Sequence, residues 1–185
     1  MNSKNIIQYF IDKYHYKDYL ELGIYHGSTF PQIKCENKDG VDIKQYPECP
    51  FPVTYICSTD DFFSNHIKKK YDIIFIDALH EELQVDKDLV NSIKWLKDNG
   101  TIVLHDCYNP EGWLQWGIEQ SAWKTISKFN CTNSKYSCHV VNTDCGCGIV
   151  RRGYQEKFKL SLEDSVKWEN AKLNLISEEE FKKLY

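Results

Sequence analysis

The sequence predicts a doubly wound α/β domain with a seven-stranded, mostly parallel sheet, and three stretches support it. From Tyr71 to Cys107 the chain reads as strand, helix, strand: Ile73, Ile74, Phe75 and Ile76 form a short apolar run of the kind buried on both faces of a parallel sheet, and Thr101 to Leu104 form a second. Between them Val85, Leu89, Ile93 and Leu96 fall on one helical face, and Asn99-Gly100 offers a left-handed stop. The second stretch is a strand, Tyr19 to Leu22, that runs straight into a turn holding Gly23 and Gly27. The third is a terminal β-hairpin, His139 to Asn142 and Gly148 to Arg151, which closes the sheet with one antiparallel strand.

In chain order, Ile6, Ile7, Phe10, Ile11 and Tyr14 keep the 3.6-residue period and predict a helix over 1–15 that lays one face on the domain. After the first strand and a short helix around Phe30 to Cys35, Gly40-Val41-Asp42 reads as a second strand ending in an acid. Three prolines between Lys44 and Pro52 mark a loop, and Val53 to Cys57 is a third strand. Ser58-Thr59-Asp60-Asp61 then caps a helix begun by Phe62-Phe63. Beyond the fifth strand, Cys107 to Gly117 has Trp, Gly and Pro but no period, as expected of a loop covering a substrate, and Ala122, Ile126 and Phe129 make one more helix face. The tail over 154–185 should hold a helix around Glu163 to Leu173 and a short acidic one at Glu178 to Leu184. No repeat or linker interrupts 185 residues, so one domain is expected over 1–185.

A net charge of −4, with acids interleaved among the lysines, gives no reason to expect nucleic acid as a partner. No apolar run approaches the roughly 20 residues of a membrane span, and the first helix is amphipathic, so a cytoplasmic protein is expected. Eight cysteines include no CxxC pair, and Cys145-Gly146-Cys147 is too closely spaced to chelate zinc well; reduced thiols are expected.

Ligands of open α/β sheets bind outside the carboxyl ends of the strands, which here gathers Asp77, His80, His105 and Asp106 on one rim. Gly23, Tyr25, Gly27 and Ser28 belong to a turn whose backbone lets a ligand approach closely. Asp42 stands where a nucleotide-binding βαβ unit places the acid that accepts from both ribose hydroxyls. Asp77 also suits the N-cap of a helix beginning near Leu79, and His80 suits a helix-start residue bonded to a carboxylate.

Several of these segments together resemble class I S-adenosylmethionine-dependent methyltransferases, which are Rossmann-like. They are ELGIYHGS at Glu21 to Ser28, Asp42, STDDFF at Ser58 to Phe63, FIDALH at Phe75 to His80, NGTIVLHDC at Asn99 to Cys107 and DCGCGIVRRG at Asp144 to Gly153. More narrowly, the chain is similar to small methyltransferases found beside glycosyltransferase and surface-polysaccharide genes. The resemblance implies S-adenosylmethionine as cofactor, with Glu21, Gly23 and Gly27 along its methionine part, Asp42 on the ribose, and Thr59 and Asp60 beside the adenine. Tyr25, Ser28 and Asp77 complete that set. A sulfonium cation is complemented by an acid such as Glu21, whereas a dinucleotide pyrophosphate is not; Glu21 and the missing third glycine argue against NAD.

Asp77-Ala78-Leu79-His80 is also similar to metal-dependent sugar O-methyltransferases of macrolide biosynthesis, with His105-Asp106 where an acidic pair would stand. That departure leaves Mg²⁺ or another divalent cation on Asp77 and Asp106 open, since Mg²⁺ prefers oxygen ligands. The expected reaction is methylation of a hydroxyl of a sugar, free, nucleotide-linked or part of a glycan. His80 is the expected general base. Asp77 and Asp106 are expected to hold the acceptor, and His105, Trp113 and Trp116 to contact it. A small non-sugar acceptor and a non-catalytic binding module stay open as alternatives, and aromatic residues in the Tyr108 to Gln120 loop leave room for a homodimer.

Overall fold

The computed structural model describes residues 1–108 and 122–185. Eight strands form one sheet: β1 Asp18–Leu22, β2 Asn37–Asp42, β3 Tyr55–Ile56, β4 Tyr71–Ile76, β5 Leu96–Leu104, β6 Tyr136–Val141, β7 Cys147–Arg152 and β8 Leu175–Ile176. Their order across the sheet is β3-β2-β1-β4-β5-β7-β6-β8. Every neighbouring pair is parallel except those made by β7, which runs antiparallel to β5 and to β6, so the hairpin contributes the one reversed strand that the sequence predicts. Strand order reverses between β1 and β4, where a crevice opens at the carboxyl ends.

The sheet is buried on both faces because its central strands alternate two apolar sets. Leu20, Leu22, Ile74, Ile76, Ile102 and Leu104 point to one side and pack with Val85 and Leu89 of α2 (Glu82–Trp95) and Ile126 of α3 (Ala122–Thr132). Tyr19, Ile73, Phe75 and Val103 point to the other, against Ile6, Ile7 and Phe10 of α1 (Ser3–Tyr14) and Phe181 of the last helix, α4 (Glu178–Leu184). Helix α1 starts on a capping box of Asn2 and Asn5, and His15, at φ 55°, ends it.

Five sequence expectations need correction. The sheet has eight strands rather than seven, because the tail segment expected as a helix at Glu163 to Leu173 makes only a turn at Leu162–Ser165 and a 3₁₀ turn at Trp168–Asn170. The chain then runs extended beside β6, with the carbonyls of Leu173 and Asn174 accepting from Val140 N at 3.1 and 3.3 Å, so sheet pairing overrides the local helical pattern. Asn99-Gly100 is no left-handed stop. Helix α2 passes directly into β5 at Leu96, whose backbone is extended (φ −80°, ψ 139°), and Gly100 lies inside the strand, where a Cβ would stand 2.8 Å from the Asp72 carbonyl oxygen.

Only a 3₁₀ turn, Phe30–Gln32, replaces the short helix expected at Phe30 to Cys35. The helix expected from Phe62-Phe63 is a single α-turn, Thr59–Asp61, continued by a π-turn, Phe62–His66; Ser58 does cap it, its side chain accepting from Asp61 N at 3.1 Å. No helix among the described residues is long and apolar enough to cross a membrane.

Candidate active site

The crevice at the strand-order reversal holds a cavity of about 490 Å³, large enough for a nucleoside-sized ligand. Its floor is the turn after β1. Gly23 at φ 89° donates from N to Val41 O at 2.9 Å, and a Cβ on it would lie 2.1 Å from Asp77 O, so no side chain fits there. Asp42 ends β2 beneath the turn: its Oδ2 accepts from Ile24 N and Tyr25 N, both at 2.8 Å, which holds Tyr25 at φ 46°. Oδ1, with only a long contact from Lys44 N at 3.4 Å, is the oxygen left for a ligand.

Along one end of the cavity stand Thr59, Asp60 and Gln84. The Gln84 amide nitrogen donates to Thr59 Oγ1 (3.0 Å), Asp60 Oδ1 (3.2 Å) and Asp88 Oδ1 (3.0 Å). Asp88 is fully buried, and burial pushes its carboxyl up to about 6. Sequence reasoning missed Gln84 and Asp88, although their i,i+4 spacing on the helix face toward Asp60 was a readable signal.

Asp77 and His80 line the other side of the cavity, and Asp106 joins them from the end of β5. Single donor atoms of Asp77, His80 and Asp106 lie within 4.8 Å of one another. His80 Nε2 is 3.4 Å from Asp106 Oδ2 and 3.7 Å from Asp77 Oδ1. Asp77 is not a helix cap, since α2 begins five residues later; its backbone N instead continues the β1 pairing to Leu22 O at 2.8 Å.

His105 sits behind this group, with Nδ1 at 3.3 Å from Asp77 Oδ1 and 3.4 Å from Asp106 Oδ1, and Nε2 at 3.5 Å from Asp144 Oδ2. Burial alone would favour its neutral form, but the carboxylates of Asp106, Asp144 and Asp77 outweigh burial and raise its pKa. Contact with His105 in turn holds the Asp144 carboxyl well below the usual range. His105, expected from the sequence to contact the acceptor, is here engaged by the three acids.

Asp144 was not predicted. It is brought under β5 by three successive left-handed residues between β6 and β7, Asp144, Cys145 and Gly146, and the turn is fixed by Cys107 N to Gly146 O and Tyr108 N to Cys145 O, both 2.9 Å. Asp106 is itself left-handed at φ 56° and 7 % exposed, a strained conformation of the kind that clusters at working sites.

Three residues assigned to the cofactor by resemblance are not on the cavity wall. Glu21 is 2 % exposed and accepts from the Tyr19 hydroxyl; burial pushes its carboxyl up to about 8. Gly27 packs on Phe51, whose Cε1 would stand 2.7 Å from a Cβ there, and the Ser28 carbonyl accepts from Gln32 at 2.8 Å. His26 stacks on Tyr25 at 3.7 Å between centroids. Trp113 and Trp116, with most of the expected covering loop, lie outside the described residues.

A family model described as a methyltransferase domain matches residues 20–107, which hold every cavity-lining residue. No curated protein matches the chain. A putative caffeoyl-CoA O-methyltransferase from Staphylococcus aureus is similar in structure, with 20% identity, a TM-score of 0.63, and 82% of this chain and 83% of that one covered. An O-methyltransferase from Bacillus cereus in complex with SAH is similar at 12% identity and a TM-score of 0.58, over 80% and 78% of the two chains. MycE methyltransferase from the mycinamycin pathway, in complex with Mg, SAH and mycinamycin VI, is similar at 14% identity and a TM-score of 0.55 over 85% of this chain and 50% of that one. These likenesses establish the fold and do not extend to the narrower resemblance to sugar-associated methyltransferases.

Proposed function

We propose that this chain, a methyltransferase by the domain it contains, takes its methyl group from S-adenosylmethionine and places it on a hydroxyl oxygen of a small acceptor, for which we name a sugar. The observation that supports this most is the cavity itself. Its lining supports the reading: Asp42 would accept from a ribose, Thr59, Asp60 and Gln84 would meet an adenine edge, and a reacting methyl group would emerge at the Asp77–His80–Asp106 rim.

In-line attack by the acceptor oxygen forms the new O–C bond as the C–S bond breaks, with the electron pair left on sulfur. The hydroxyl proton must leave during attack, because an alcohol is a weak nucleophile and a protonated ether a poor product. His80 takes that proton. Asp77 and Asp106, on the two sides of its Nε2, stabilise the imidazolium that forms. His105 acts one layer back: its Nδ1, 3.3 Å from Asp77 Oδ1 and 3.4 Å from Asp106 Oδ1, ties the two carboxylates into one orientation.

The residues present fit a divalent cation. Carboxylate oxygens of Asp77 and Asp106 converge with the His80 ring within 4.8 Å, and oxygen ligands of this kind suit Mg²⁺ or Mn²⁺. Asp77 and Asp106 would hold the ion, leaving His80 to the proton, and it would supply Lewis-acid polarisation of the acceptor hydroxyl.

Calorimetric titration of S-adenosylhomocysteine tests the cofactor assignment. Asp42→Ala should weaken binding at least tenfold, about 1.4 kcal/mol. Asp42→Asn, which keeps an oxygen to accept from Ile24 N and Tyr25 N, separates loss of the ribose contact from loosening of the turn. Absence of binding to the unmodified protein would sink the proposal. Turnover with sugar, nucleotide-sugar and catechol acceptors, with and without chelator, tests the acceptor class and the ion.

A further inference from the structure

Away from the Asp77–His80–Asp106 rim, on the shoulder of the cavity, a second convergence of donor side chains occurs at the end of β3. Cys57 Sγ, a carboxylate oxygen of Asp61 and a ring nitrogen of His66 all lie within 4.8 Å of one another. His66 Nε2 is 3.1 Å from Asp61 Oδ2, close to the edge of about 3.3 Å that two ligands share on a tetrahedral zinc ion with bonds near 2.0–2.1 Å.

The backbone is shaped to make this meeting. Residues five apart on a regular α-helix point about 140° away from each other. The π-turn Phe62–His66, closed by Ile67 N to Phe62 O at 2.9 Å, adds the extra residue that swings His66 over Asp61. Such turns recur at functional sites. Asn65 Nδ2 donates to Asp61 Oδ1 at 2.7 Å, which fixes the carboxylate with Oδ2 toward His66, and Cys57 is anchored by its N to Asp42 O at 2.9 Å.

We infer that Cys57, Asp61 and His66 form a binding site for one thiophilic divalent cation, Zn²⁺ by its donor chemistry, with the fourth position open to water or to a ligand. A soft sulfur, a borderline imidazole and one carboxylate are the mixture that zinc accepts and magnesium does not. Side chains of Asp61 and His66 are 43 % and 46 % exposed, so an ion has a path in. Cysteine binds a metal as its thiolate, so coordination breaks the S–H bond, forms the sulfur–metal bond and releases the proton to buffer. Because Cys57 also lines the cavity, the ion would sit against the Thr59 and Asp60 end of the cleft. Nothing in this site depends on the identity of the methyl acceptor or the cofactor.

Co²⁺ is the probe, since a thiolate-to-cobalt charge-transfer band reports a sulfur ligand and the Asp77–His80–Asp106 rim contributes none. The reduced, metal-free protein should show that band on titration with one equivalent of Co²⁺ and lose it on addition of Zn²⁺. Cys57→Ser should abolish the band, and Cys145→Ser, at the exposed thiol, should leave it intact. His66→Ala, an exposed change that keeps the fold, should weaken cobalt binding at least tenfold. Failure of Co²⁺ in excess to produce the band, or a band that survives Cys57→Ser or is indifferent to His66→Ala, would overturn the assignment. Calorimetry of Zn²⁺ binding in two buffers of different ionisation enthalpy should show proton release that is lost in Cys57→Ser.

Discussion

His80 is the residue on which the proposed chemistry depends most. With its base removed, a positioned hydroxyl can still be methylated slowly, so His80→Ala should lower kcat by about 10²–10⁴ while leaving affinity for S-adenosylhomocysteine nearly unchanged. A steady-state assay with saturating cofactor reads this, and an unchanged kcat would remove His80 from the mechanism. Glu21 carries a different prediction. Its carboxyl is held near 8 in the folded chain by burial, against 4.5 as its ordinary value. The folded state therefore binds the proton more tightly than the unfolded chain does. The stability this gives is fully present below about pH 4.5 and is lost as pH rises toward 8, with a slope near 1.4 kcal/mol per unit from this one group. Denaturant unfolding between pH 5 and 8 should show that decline, and Glu21→Gln, a neutral isostere, should flatten it; an unaltered slope would mean that Glu21 ionises freely. The shared face of Tyr19 and Glu21 was readable in the sequence; that this face is buried was not, because Phe30, which stacks on Tyr19, comes from a later turn.

At the scale of elements, what the sequence showed and what it hid have separate physical causes. Strand β4 and the Thr101 to Leu104 end of β5 were legible because burial on both faces demands uninterrupted apolar runs, and with them came Asp77, His80 and Asp106, since strand ends define the rim. Asp144 was not, because its approach to His105 is made by left-handed residues in a turn distant in sequence. Strand β8 and the π-turn were hidden for the same reason: their conformations are decided by long-range pairing with β6 and by one inserted residue, and neither leaves a periodic trace. Helix α4 was predicted, but not its weight in the structure. Phe181 is fully buried, with ring centroids 5.6 Å from Phe10 and 5.1 Å from Tyr9. Phe181→Ala should cost about 3–5 kcal/mol in urea unfolding; a loss under about 1 kcal/mol would show that the seam between α1 and α4 is peripheral.

For the molecule as a whole, the two-sided core accounts for a division of labour: apolar faces above and below the sheet fix the strands, and the cavity with the Asp77, His80 and Asp106 cluster lies at their carboxyl edge. The seam between the first and last helices has a further consequence, for the order of the elements along the chain. Tyr14 donates its hydroxyl to the Tyr185 carbonyl at 3.3 Å, and the Met1 amine pairs with Glu178, one helix of seven residues away from Tyr185. Seven helical residues span about 10 Å, so a linker of about five residues would join the two ends. The polypeptide is thus close to a ring in space, and where the ring is cut is a free choice. A circular permutant joined in this way and opened at the exposed Glu156-Lys157 segment, away from the cavity, should fold to the same sheet and keep its ligand affinity, as circular dichroism and calorimetry would show.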